Sequence, residues 1–142
     1  TSRASFKVIV NGGQVISPAK VFENMANYEA ERTYLLKELK NRKIPGVLFL
    51  SGDRHISNLN KLEREGTYPL YDLTVSPMTA GKADAVKQDY NATLVEGTLV
   101  QERAFSKIEV TGPLKDRTLT ITLFNVKGEV LWTKEIKSNQ LK

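Results

Sequence analysis

GVLFLSGDRHIS, residues 46–57, runs from apolar side chains straight into Gly-Asp-Arg-His, and the reading of that run settles the fold. A short apolar run bounded by turn residues is the pattern of a buried strand. What precedes it gives the strand a partner. Residues 22–42 contain neither proline nor glycine, and Met25, Tyr28, Leu35, Leu36 and Leu39 recur at helical spacing. The stretch closes with KNRK (40–43), cations suited to the negative end of a helix, and Pro45-Gly46 then stops it. Further upstream FKVIV (6–10) is a second apolar run, ending in the glycine turn NGG (11–13).

Strand, helix, strand is the pattern of a βαβ unit, whose two strands are parallel neighbours with the helix packed on their sheet. In such sheets ligands gather at the carboxyl edge of the strands, where loops converge without disturbing the core. NGGQ (11–14) and GDRH (52–55) both fall at that edge. Downstream, YPLYDLTVS (68–76) reads as another strand, followed by a polar, loop-like stretch over 77–97. FSKIEV (105–110), TLTITLF (118–124) and EVLWTKEI (129–136) then form an antiparallel meander, turning at Gly112-Pro113 and at Asn125–Gly128. The expected class is α/β (α+β): a βαβ unit followed by a meander, in a single region spanning 1–142.

Composition narrows the function classes. The net charge is +5, but the cations are interspersed with acids in KLERE and KEIKS, without a basic stripe and stacking aromatics, so no specific nucleic-acid binding is expected. The absence of cysteine excludes disulfides, thiolate zinc sites and a cysteine nucleophile. No apolar stretch approaches the ~18 residues of a transmembrane span, and TSRASFKVIV does not read as a targeting leader.

His55, the single histidine, stands at the carboxyl edge with Asp53 two residues before it. An imidazole and a carboxylate on one glycine turn are two metal-ligand types, half of the three or four protein donors that a catalytic metal needs. Arg54 between them has two readings, a fork for phosphate or a solvated loop cation. A Ser-His-Asp hydrolase fits poorly, since His55 is the sole general base of its type. Trp132 reads as core.

SGDRHIS after an apolar strand, YPLYDLTVSPMT and the helical NYEAERTYLLKEL together resemble the C-terminal half of the PhoD-like alkaline phosphatases, a branch of the calcineurin-like metallophosphoesterases. The resemblance follows the order of elements over nearly the whole chain. It implies the C-terminal half of a β-sandwich flanked by helices, with the N-terminal half absent from this sequence. In that superfamily the late motif is GHxH, each histidine serving one metal of a dinuclear pair. Asp53 stands at the first of these positions and His55 at the second. The cofactors implied are two metal ions in the complete enzyme, Ca²⁺ and Fe³⁺ or Zn²⁺/Mn²⁺, and Asp53 as an oxygen donor suits a harder ion.

The earlier motifs DxH, GDxxD and GNH[DE] are not in this chain. Where a further histidine usually follows the first strand, it has Asn11, Gly12, Gly13 and Gln14. By resemblance Asn11, Arg54 and Tyr28 are substrate-binding positions, Tyr28 and Arg32 forming the family's YxxxR. Arg32 either reaches the site or covers core surface with its stem. Ser76 and Thr79 correspond to a loop beside the site.

The implied activity is metal-dependent hydrolysis of a phosphate ester, with Asp53 and His55 as catalytic metal ligands and the missing half as partner. The chain alone is expected to be inactive, and the family's setting is periplasmic or secreted. The rival reading is a non-catalytic β-rich binding module in which GDRH is only a structural turn.

Overall fold

The computed structural model describes residues 2–142, which form two sheets and one α-helix. The first sheet contains β1 (Lys7–Val10), β2 (Val47–Ser51), β3 (Asn58–Leu62) and β4 (Leu70–Thr74), in the order β1-β2-β4-β3. β1, β2 and β4 are parallel, and β3 is antiparallel to β4. The second sheet is the antiparallel meander β5 (Ala104–Thr111), β6 (Thr118–Asn125) and β7 (Val130–Lys137). The helix, α1, spans Glu29–Asn41. β1 and β2 are therefore the parallel neighbours that the strand-helix-strand pattern predicts.

Leu48 and Phe49 are both 0% exposed. Adjacent strand residues point to opposite faces, so β2 is covered on both. Register shows what each face carries. Phe49 lies beside Asp72 and Ser51 beside Thr74, with Asn60 and Asn58 next in line, so this face turns polar toward its carboxyl end. Leu48, Leu50 and Leu73 belong to the other face, and Leu50 lines a cleft with Ser106 and Ile108 of β5. That face meets the meander. Burial along β6 alternates, sending Leu119, Ile121 and Leu123 inward, where they join Trp132, Ile136, Leu73 and Leu39 in one core.

A helix of 13 residues is marginal by itself in water. Leu39 is buried in the common core and Leu35 and Leu36 pack against it. Burying a leucine contributes about 2 kcal/mol, so packing and not propensity holds α1 in place.

Two elements differ from the sequence expectation. The helix foreseen from residue 22 begins only at Glu29. Phe22 has φ +53°, and the Asn24 side chain accepts from the Ala26 amide, turning Met25–Asn27 into a 3-10 turn. The Met25 amide donates to the Gln14 carbonyl at 2.9 Å, so this segment is tied to the loop after β1 and cannot continue the helical path. The second difference is β3, NLNKL, which was not foreseen. Asn58, Leu59 and Asn60 are all buried, so the strand is covered on both faces there, with leucine in the core on one and asparagines in a polar network on the other, and NLNKL lacks the alternation that marks a strand.

No helix among the described residues is long and apolar enough to cross a membrane.

Candidate functional site

Three loops converge at the carboxyl edge of the parallel strands. The Gly52 amide donates to the Gly12 carbonyl at 3.0 Å, joining the loops after β2 and β1. The His55 amide donates to Ser76 Oγ at 3.1 Å, and the Ala83 amide to the His55 carbonyl at 3.0 Å, joining the loop after β4. Arg54 N–H folds back onto the Gly52 carbonyl at 2.8 Å, and Asp53 and His55 take φ of +63° and +55°. The left-handed region costs an ordinary L-residue about 1–2 kcal/mol, although Asp and His occupy it more readily than most.

Arg54 points inward. One guanidinium nitrogen donates to Gln14 Oε1 at 3.0 Å and the other to Asp89 Oδ1 at 2.7 Å. The two side chains of this ion pair are only 4% and 1% exposed. The Phe22 ring covers the guanidinium, its centroid 5.0 Å from Cζ, and Nε is buried without a partner. Arg54 is therefore no solvated loop cation, and its charge is already matched inside the protein.

With Arg54 anchored, the residues on either side of it line one open cleft of about 320 Å³, together with Phe22, Glu23 and Ala83. Four non-glycine residues of the described chain have positive φ, and Phe22, Asp53 and His55, three of the four, line this cleft. Neither the Asp53 carboxylate nor the His55 imidazole makes a hydrogen bond or ion pair with a described residue; His55 bonds through its backbone alone. Backbone outliers gathered around one open cleft, two of them with side chains free of internal partners, are the geometric ground on which a ligand site is inferred.

Behind the cleft lies a buried polar network. Gln14 Nε2 donates to Thr74 Oγ1 at 2.9 Å and to Asn58 Oδ1 at 3.2 Å, while its Oε1 accepts from Arg54 and from Asn24. Ser51 Oγ links Thr74 to Asp72 Oδ1. Asp72 Oδ2 accepts from the Val15 and Ile16 amides at 2.6 and 3.2 Å, and Arg32 donates to the carbonyls of the same two residues at 2.7 and 2.6 Å. The backbone after NGGQ is thus gripped from both sides. Burial pushes the Asp72 carboxyl above its ordinary range and outweighs those three donors, and it draws the Arg32 guanidinium down.

The other positions singled out in the sequence lie elsewhere. Asn11 is exposed and closes its own turn by donating to the Gly13 carbonyl at 2.8 Å. Tyr28, 62% exposed, precedes α1, and neither residue lines the cleft. Arg32 grips the loop backbone. Ser76 is buried and positions His55, Thr79 is exposed, and Trp132 is in the core.

Sequence reading missed Gln14, Asp72 and Asp89. Asp72 had a visible signal, a carboxylate inside the apolar run YPLYDLT, since a buried charge requires partners. Asp89 had none, because its partner is 35 residues away.

Asp53 and His55 offer an oxygen and a nitrogen donor from one turn into one cleft, and so fit as part of a metal's ligand set. Among the described residues no group of three or more His, Cys, Asp or Glu side chains is placed to hold an ion. No protein-family model matches this sequence, and no curated protein matches it.

Proposed function

We propose that this chain supplies the C-terminal part of the active site of a metal-dependent phosphoesterase of PhoD-like type, the remaining metal ligands coming from an N-terminal half or a separate chain. The observation that carries the reading is the pair Asp53 and His55. Both stand on a left-handed turn at the carboxyl edge of parallel strands, face one open cleft, and have no internal partner for their side chains. A turn serving structure alone accounts for the backbone bonds of His55 and the anchoring of Arg54, and it leaves the two ligand-type side chains facing the cleft without a partner.

The residues divide the work. Asp53 presents a carboxylate to a hard cation and His55 an imidazole nitrogen, two residues apart on a turn too short to let either drift. Arg54, Gln14 and Asp89 fix the turn from below, so the donors are preorganised before any ligand arrives. Bound metal ions, Ca²⁺ and Fe³⁺ or Zn²⁺/Mn²⁺, supply charge against the phosphate and acidify the attacking water. Asn11 and Tyr28, which do not line the cleft, stay substrate-binding positions by resemblance alone, Arg54 with its charge met by Asp89 holds the turn instead, and the common export of this family makes a periplasmic or secreted setting part of the proposal.

The test is made on the enzyme with both halves present. His55→Ala and Asp53→Ala each lower turnover of p-nitrophenyl phosphate or its diester at least about 100-fold and reduce bound metal, while the unfolding free energy changes by no more than about 1 kcal/mol, because neither side chain packs in the core. The 142-residue chain alone shows no metal-dependent turnover. Normal turnover and metal content in His55→Ala, or metal-dependent turnover by a stable monomer of this chain, would overturn the reading.

A further inference from the structure

Phe22 is out of place for an aromatic residue. It is 63% exposed, its backbone is left-handed at φ +53°, and it lines the same cleft as Asp53 and His55. A bulky residue at positive φ is a true outlier, and exposed apolar rings gain nothing from folding. Yet two contacts hold it there. Asn27 Nδ2 donates to the Phe22 carbonyl at 2.5 Å, and the ring lies over the buried Arg54 guanidinium at 5.0 Å. That guanidinium is itself fixed by Gln14 and Asp89. One side of the ring is thus seated on a rigid, charged base, and the residue as a whole stays open to solvent beside the two unpartnered donors.

We propose that Phe22 is the wall of the cleft against which the organic group of the ester rests, which makes the site selective for phosphate esters of flat, apolar alcohols, such as aryl phosphates, over small alkyl esters. The inference rests on the phosphoesterase reading for the reaction but not for the shape preference. A planar group gains offset stacking and apolar contact on a ring already seated against Arg54, so less side-chain entropy is lost on binding than at a free side chain. A methyl ester leaves the ring in water. The cleft, at about 320 Å³, lies within the range of small-ligand sites and has room for a single ring near Asp53 and His55.

Two readouts test this. In the complete enzyme, the ratio of kcat/KM for phenyl phosphate to that for methyl phosphate falls about tenfold in Phe22→Ala and in Phe22→Leu, the latter still covering Arg54, and returns in Phe22→Tyr. In the 142-residue chain without metal, where Glu23 and Asp53 line the cleft and Arg54 is already paired with Asp89, titration with the uncharged alcohols phenol and methanol is followed through the resonances of His55, its single imidazole. Phenol binds at least about tenfold more tightly, and Phe22→Leu brings the two ligands level. Equal binding of the two ligands by the unsubstituted chain, no measurable phenol binding, or a ratio unchanged in Phe22→Leu would overturn the proposal. A phenyl preference that depends on Phe22, in a protein whose turnover survives His55→Ala, would instead sink the phosphoesterase reading and leave the aromatic wall standing.

Discussion

Replacing Asp89 with alanine strands the Arg54 guanidinium in the interior. The pair is 2.7 Å apart with side chains 4% and 1% exposed, so water cannot substitute for the lost carboxylate unless the turn opens. Breaking a buried pair by removing one partner typically costs about 3–5 kcal/mol. Two features move this case to the lower end: Gln14 Oε1 still accepts from Arg54, and the Phe22 ring still covers it. One moves it up, since Asp89 Oδ2 also accepts from the Val86 amide at 2.8 Å. A loss of about 3 kcal/mol is expected, a large share of the ~5–15 kcal/mol that holds an ordinary domain. Asp89→Asn keeps an acceptor for only one of the two donors, sets its NH2 against the other and removes the charge, so it should recover only a minor part of that loss. Urea unfolding followed by the fluorescence of Trp132, the one tryptophan, is the assay. With a slope of about 2 kcal/mol/M the midpoint falls about 1.5 M for alanine. The double replacement Arg54→Met with Asp89→Leu recovers most of the stability, because an apolar pair has no charge to desolvate. A midpoint shift below about 0.5 M in Asp89→Ala would mean that Arg54 swings out to water at little cost, and that the turn bearing Asp53 and His55 is not anchored from below.

Asp72 makes stability depend on pH with a definite sign. Its carboxyl titrates above the ordinary range in the folded protein, so the native state holds the proton longer than the unfolded chain; this contribution to stability is present below about pH 4 and is lost as pH rises through the raised folded value. Asp72→Asn should therefore flatten the decline in urea midpoint as pH rises above about 4, and an unaltered slope would show that its three donors offset burial. Gly13→Ala places a Cβ 2.1 Å from the Glu23 carbonyl oxygen, so the loop after β1 must move away from the segment carrying Phe22. A loss of about 1–3 kcal/mol follows, measured by the same unfolding curve, and a neutral result would show that the 12–14 and 22–24 backbones separate freely.

The sequence by itself determined every strand but β3, the body of the helix and the edge at which β1 and β2 end. Periodicity and glycine turns are local, and they were enough to make β1 and β2 parallel neighbours, to place GDRH beside NGGQ, and to lay out the meander of β5, β6 and β7. They also picked out Asp53 and His55, because two ligand-type side chains on one turn are visible within three residues. Tertiary structure decided everything that depends on distant partners. The helix lost its first turns because the Gln14 carbonyl captured the Met25 amide, and β3 became a strand with asparagines inward because Gln14 and Thr93 wait there to bond them. Arg54 became a buried anchor because Asp89 returns to it from 35 residues downstream, and Phe22 left the helical pattern to cover it. In each case a buried polar group took whichever partner the fold brought near, since leaving it unpaired costs more than bending a short segment away from its local preference.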